Sequence, residues 1–277
     1  MIKNTLKEVE MPALDVDGKG LSVLICSDYT FQFNWMTYAC WYSVSRNLPE
    51  AKIAIVSPRP KKITNYLYHW VYKILDLRYH LHKNFGERYQ LPYLNKIYGV
   101  YLALKEGLVK QPLVVLEADM MAVSDFSNST LEKLSQVTFA TNSCSFSVPF
   151  DSNPIGSVWY LNGVSLEQLA ITINTLGLGK DRSHLDLLAL SRVFGKESVV
   201  IEDLCNEAHR HEATTFAHYK ERCGNFSRAD WEKGKIVPPF NVSYALQTSD
   251  LSVNERKILS LWHQMATLYE AVNQIKV

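Results

Sequence analysis

Glu117-Ala118-Asp119 places two carboxylates one residue apart, directly after the apolar run Pro112-Leu-Val-Val-Leu116. At the mouth of a buried strand both acids can face one cation only because the strand has ended and the backbone is free to turn. Hard carboxylate oxygens suit Mg²⁺ or Mn²⁺, which take one or two protein carboxylates and complete their shell with water and substrate phosphate. The other reading of the same residues is that acids at a strand end cap the following loop or helix. Cys26-Ser27-Asp28 close a second apolar run, Leu21 to Cys26, and are the next candidates for ligand contact. Cys205, His209 and His211 read as a polar loop, since Cys-x3-His-x-His lacks a fourth ligand.

The elements that must position these residues follow from the apolar periodicity. Leu21–Cys26 reads as a strand buried on both faces, residues 33–47 as a helix stopped by Leu48-Pro49, and Ile53–Val56 as a second strand. A strand-helix-strand crossover makes the two strands parallel, and open α/β sheets bind ligands beyond the carboxyl ends of their strands. Apolar residues at three- and four-residue steps predict helices over 63–81 and 91–106, the latter capped by Gly107. Pro112–Leu116 is a third buried strand. Further strands are predicted at 137–141, 157–161, 198–201 and 214–218, helices at 166–176 and 184–194, and an amphipathic tail helix at 252–275. The alternation predicts an α/β domain with a mixed, mostly parallel sheet flanked by helices over residues 1–224, and a C-terminal helical extension, 225–277, packed on it.

Composition narrows the partners. In 277 residues, 29 Lys+Arg face 28 Asp+Glu for a net charge of +1, which argues against a nucleic-acid binder held by bulk charge. The basic excess over residues 59–88 reads as a solvated helix face; an anion-binding or membrane-surface patch is the alternative. Five cysteines without a CxxC spacing argue against a disulfide framework or a structural zinc site. No signal-peptide core and no apolar run of about 18 residues is present, so the expectation is a soluble, cytoplasmic protein whose Asn-x-Ser/Thr sequons are coincidental. Phosphate-loop, GxGxxG, GxSxG and HExxH motifs are all missing.

Five segments in order carry a family resemblance. Residues 91–119, LPYLNKIYGVYLALKEGLVKQPLVVLEAD, resemble the part of GT-A fold glycosyltransferases in which a Lys-containing helix precedes a strand ending in the DxD motif. Residues 21–57 resemble the first strand, helix and second strand of these enzymes, where the first strand's end holds the nucleotide base. Val158-Trp-Tyr-Leu-Asn-Gly-Val164 resembles their FNxG segment. Arg182-Ser-His-Leu-Asp-Leu-Leu188 resembles the DQDLLN helix opening of glycosyltransferase family eight, and Thr215-Phe-Ala-His-Tyr219 its strand end bearing a third metal ligand. Glu117 stands where the family has the first Asp of its motif, His184 where it has the first Asp of DQD, and Lys220, Arg222 and Gly224 where it has Gly and Lys-Pro-Trp.

The resemblance implies transfer of a sugar from a nucleotide-diphosphate donor, most readily a UDP-sugar, to a hydroxyl of a carbohydrate, lipid-linked or protein acceptor. Glu117, Asp119 and His218 would hold Mn²⁺ or Mg²⁺. Cys26, Ser27 and Asp28 would face the nucleotide, with Lys96, Lys220 or Arg222 adding charge to the phosphates. Asn162 and Gly163 would meet sugar hydroxyls, and Asp186 with His184 would form the catalytic helix opening, Asp186 bonding a sugar hydroxyl or taking the acceptor's proton. Family eight would imply retention of the anomeric configuration. Plainer roles stand beside these: a turn at Asn162-Gly163, a helix-dipole partner in Asp186, a core hydrogen bond at His218, a snorkelling Lys96. Two other functions fit the same sheet: a non-catalytic sugar-nucleotide or glycan binder, favoured by Glu117 and His184, and a sugar-nucleotide-forming nucleotidyltransferase, which would be expected to carry a Gly- and Arg-rich loop where Ser27–Phe31 stands. Residues 142–157 and the C-terminal helix are candidates for the acceptor wall.

Overall fold

A computed structural model describes residues 20–26, 31–57, 78–81, 92–143, 156–176, 185–207, 210, 212–218, 251–258, 260–261 and 264. Among the described residues, ten strands and five α-helices precede the tail: β1 (Ser22–Cys26), α1 (Phe31–Asn47), β2 (Lys52–Ser57), β3 (Arg78–Leu81), α2 (Pro92–Lys105), β4 (Leu113–Glu117), β5 (Met120–Ala122), α3 (Asn128–Ser135), β6 (Phe139–Thr141), β7 (Trp159–Leu161), α4 (Leu166–Leu176), α5 (Leu185–Phe194), β8 (Val199–Val200), β9 (Cys205–Glu207) and β10 (Phe216–His218). The large sheet has seven strands in the order β3-β2-β1-β4-β7-β6-β8, and a small sheet has the order β5-β10-β9.

The apolar runs become strands covered on both faces. Val23, Ile25, Val114, Leu116, Ala140 and Tyr160 pack with Ala39, Cys40, Trp41 and Val44 of α1 and with the small sheet. Leu24, Ala54, Leu113, Val115, Phe139 and Trp159 point the other way, against Ile97, Val100 and Ala103 of α2 and against α4 and α5. Successive residues alternate between two buried faces, so nothing in these runs reads as amphipathic. Burying each such side chain contributes about 1.5–3 kcal/mol before chain entropy is counted. Gly99 lets α2 approach closely, since a Cβ there would lie 2.8 Å from Val56 Cγ1.

Most of the sheet is parallel: β1 pairs with β2 and β4, β2 with β3, and β6 with β8. β7 is the exception, antiparallel to both β4 and β6. The mixed, mostly parallel sheet flanked by helices is the predicted fold class.

Four elements differ from the sequence reading. The helix predicted over 63–81 overruns: Arg78–Leu81 is strand β3, bonded to the outer edge of β2, while residues 63–77 lie outside the described residues. Leu77 and Leu81 satisfy a helical period, but the unpaired edge of β2 offers the backbone a ladder that a window on the sequence does not contain. α3 starts at a Ser127 N-cap whose hydroxyl accepts from Thr130 N–H, so the Asn128 sequon falls in a helical turn. β5 and β9 are short strands whose hydrogen bonds come from β10, not from local pattern. Of the tail, residues 253–258 are helical, opened by a Ser252–Glu255 capping box, and Ile258 and Leu261 join the core around Leu204 and Phe216. The predicted boundary at residue 224 lies outside the described residues.

Candidate active site

The turn after β4 builds the site. β4 ends at Glu117, level with Cys26 at the end of β1, and the chain leaves the large sheet through Ala118 and Asp119 to enter β5 at Met120. α1 holds β5 in place of a neighbouring strand. Ser43 Oγ accepts from Ala122 N–H at 2.9 Å, and Asn47 Nδ2 donates to Ala122 O at 2.9 Å, which satisfies backbone groups that β10 does not reach. On the other side of β5, antiparallel pairing sets Met120 opposite His218. That register carries His218 to Asp119: Nε2 lies 3.2 Å from Asp119 Oδ2 and 4.0 Å from Glu117 Oε2.

Glu117, Asp119 and His218 offer one ligand atom each within 4.8 Å of one another. Around a divalent cation at about 2.1 Å, adjacent ligands sit about 3 Å apart and opposite ones about 4.2 Å apart. The donor set fits a cation of the Mn²⁺ or Mg²⁺ class, and the 3.2 and 4.0 Å separations of His218 from the two carboxylates lie in that range. His218 is nearly enclosed, at 5% side-chain exposure, whereas Asp119 and Glu117 keep 26% and 34% open to incoming ligand.

Lys96, on α2, reaches into the same place. Its Nζ bonds Glu117 Oε1 at 2.9 Å, donates to Ser157 O and stands 3.9 Å from the Trp159 ring centroid, with only 5% of the side chain exposed. Glu117 thus divides its carboxylate, Oε1 to the ammonium and Oε2 toward His218. Ser157 has two contacts, because its hydroxyl also lies 3.3 Å from His218 Nδ1. The short run before β7 is fixed by Gly156 N–H donating to Thr141 Oγ1, Val158 N–H to Asn142 Oδ1, and Trp159 Nε1–H to Gly156 O.

The two thiols near these acids are held neutral. Burial pushes Cys26 up to about 12, against the attraction of Lys96, and burial with the nearby Asp119 raises Cys40 well above the ordinary thiol range. Cys26 is therefore uncharged at neutral pH, its Sγ 3.9 Å from Lys96 O.

The structure brings together Glu117, Asp119, His218 and Lys96, with Cys26 level with Glu117 on the neighbouring strand. It does not bring Asn162 and Gly163 to them. Leu161 pairs with Leu113 at the amino end of β4, and Gln111 clamps the following turn through both Val164 O and Val164 N. Asn162 is fully buried there, its amide without a hydrogen-bond partner among the described residues, and Gly163 takes φ +89° in the turn. The physical reason is strand direction. The carboxyl-end rule serves parallel strands, and β7 runs against β4, so its amino end faces the site. Gly156 and Ser157, the end of the 142–157 segment read as a candidate acceptor wall, hold the position that the sequence reading gave to Asn162 and Gly163. Asp186 lies in the first turn of α5. Ser27, Asp28, His184, Lys220 and Arg222, with His209 and His211, lie outside the described residues.

No family model matches the sequence, and no curated protein is similar to it. Solved structures do match. The apo form of the glycosyltransferase GlyE of Streptococcus pneumoniae TIGR4 superposes with a TM-score of 0.56 at 13% identity, over 90% of this chain and 64% of that one. A second GlyE crystal structure gives a TM-score of 0.52 at 12% identity, with the same coverage. The chain has the GT-A glycosyltransferase fold. It spans just under two thirds of GlyE's length, and at this identity the likeness is one of fold. Within the GT-A frame, the acidic turn after β4 and the imidazole on β10 occupy the open, carboxyl side of the parallel strands. No helix among the described residues is long and apolar enough to cross a membrane.

Proposed function

We propose that the protein is a glycosyltransferase that moves a sugar from a nucleotide-diphosphate donor, a UDP-sugar, to a hydroxyl acceptor, with a divalent cation held by Asp119, His218 and Glu117. The observation that carries this reading is the convergence of two carboxylates and an imidazole beyond the carboxyl ends of β1 and β4. When bound, such a cation stabilises the charge that develops on a diphosphate leaving group. An imidazole among the ligands favours Mn²⁺ over Mg²⁺.

The chain's own residues divide the remaining work. Asp119 and His218 bind, Lys96 orients Glu117, and the neutral Cys26, followed by Ser27 and Asp28, lines the nucleotide side. Lys220 and Arg222 follow His218 closely in the chain and add positive charge for the phosphates. Asp186, in the first turn of α5, bonds a sugar hydroxyl or receives the acceptor's proton, with His184 two residues before it in the chain completing the catalytic segment. Asn162 and Gly163 have no part in the donor site. Retention of configuration is carried over from the family-eight resemblance, and an NMR reading of the product's anomeric proton decides it. The acceptor is a carbohydrate, lipid-linked or protein hydroxyl, the compartment is the cytoplasm, and residues 225–277 extend a catalytic domain of residues 1–224.

The test is hydrolysis of UDP-sugars with and without Mn²⁺ by the wild type, Asp119→Ala and His218→Ala. Metal-stimulated turnover in the wild type, reduced about 100-fold or more in both variants, is expected. Undiminished turnover in both would remove the cation from the reading. One observation favours a second reading, a non-catalytic donor-binding protein: Lys96 already neutralises one of the two carboxylates. Tight, metal-independent donor binding without turnover would select it.

A further inference from the structure

Among the described residues, Asp119 faces Nε2 of His218 and Ser157 faces Nδ1, and these two make different demands. An ionised carboxylate only accepts hydrogen bonds, so a bond from the imidazole to Asp119 Oδ2, 3.2 Å away, requires the proton on Nε2. A cation ligated through Nε2 needs that lone pair, and the proton of the neutral imidazole must then sit on Nδ1. The atom facing Nδ1 is Ser157 Oγ, at 3.3 Å. A hydroxyl both donates and accepts, whereas a carboxylate or carbonyl in its place would accept only and would tolerate one tautomer of the neutral ring.

We propose that Ser157 is a positioning residue that lets His218 exchange tautomers: its hydroxyl donates to Nδ1 when Nε2 is protonated and accepts from Nδ1–H when Nε2 binds the cation. This rests on the cation reading above and adds a residue that the sequence did not single out. Ser157 is well placed for it. Its carbonyl holds Lys96 and its neighbour Gly156 is locked between Thr141 and Trp159, so the hydroxyl stays in register with the imidazole while its own rotor remains free to turn. Residues that orient a ligating imidazole through its second nitrogen typically change metal affinity by about 10–100-fold when removed.

The test reads the imidazole directly. Long-range ¹⁵N–¹H NMR of the full chain, with Zn²⁺ as a diamagnetic probe, reports which nitrogen of His218 carries the proton, and calorimetry reports Mn²⁺ affinity. In the wild type the proton is expected on Nε2 without metal and on Nδ1 with it. Ser157→Ala should weaken Mn²⁺ binding about 10–100-fold, and Ser157→Thr, which keeps the hydroxyl, should stay within about threefold. Zn²⁺ bound through Nε2 with Mn²⁺ affinity unchanged in Ser157→Ala would overturn the role of Ser157 while leaving the cation site intact. Zn²⁺ ligated through Nδ1 would overturn it as well. A wild-type imidazole indifferent to Zn²⁺, with Mn²⁺ unbound, would overturn both this inference and the cation reading. The wild-type tautomer measurement stands even where Ser157→Ala fails to fold.

Discussion

Lys96 and Glu117 meet at 2.9 Å at the end of β4, and the ammonium takes one carboxylate oxygen while leaving the other turned toward His218. Glu117 is longer by one methylene than the Asp at the corresponding place of the DxD motif it resembles. Its length is matched to Lys96, so the two residues act as one unit: the ammonium holds Oε1 and fixes which oxygen faces His218.

Glu117→Asp should therefore not improve the site, although it restores the family's residue. The shorter side chain gives up the bond to Lys96 and leaves a nearly enclosed ammonium without its carboxylate. A fall of at least about tenfold in Mn²⁺ affinity, with a lower melting temperature, is expected from calorimetry and thermal unfolding. A gain in both would show that Lys96 is a bystander.

Lys96→Met should act in the opposite sense on the bare cation. Removing a fixed positive charge beside Glu117 frees both of its oxygens, and Mn²⁺ affinity in the absence of nucleotide should rise about tenfold or more. Met keeps a chain that can pack on Trp159. Lys96→Arg, which keeps the charge, should leave the affinity near the wild-type value.

Gly156→Ala tests the run that delivers Ser157. A methyl at Gly156 would fall inside contact distance of the Asn142 carbonyl oxygen and of its side chain, and a backbone atom cannot step aside as a side chain can. A loss of about 1–3 kcal/mol in urea unfolding is expected, together with weakened Mn²⁺ binding, because the same shift displaces Ser157 from His218.

The pH dependence comes from the thiols. Burial raises Cys26 to about 12, so the folded protein keeps this proton where an unfolded chain has lost it. Between about pH 9, the ordinary thiol value, and 12 the unfolded state binds fewer protons than the folded one, and stability falls as pH rises. Cys26→Ala should flatten that alkaline slope. In the folded protein Cys26 should react with iodoacetamide far more slowly at pH 9 than in urea, followed by mass spectrometry.

The legible part of this protein was local. LSVLIC, KIAIVS and LVVLE are apolar runs too short for helices and flanked by breakers, and burial on both faces of a sheet is the arrangement that satisfies them, so the α/β class and the ends of β1, β2 and β4 could be read without coordinates. The acidic pair Glu117 and Asp119 was legible for the same reason, since a strand's end is a local event. Edges were not. The strand at Arg78–Leu81 exists because β2 has an outer edge to pair with, and the small sheet exists because β10 lies between β5 and β9.

What only the tertiary structure decided is who meets whom. His218 stands 99 residues from Asp119, and Ser157 61 residues from both Lys96 and His218, spans over which no periodicity carries a register. The direction of β7 was equally beyond local reach. Whether a strand runs with or against its neighbour depends on where the chain re-enters the sheet, and that choice sends Asn162 to the closed end and gives Ser157 to the open one. The sequence determined which residues could do chemistry at the ends of strands; hydrogen-bond register between distant strands determined which of those ends share a site.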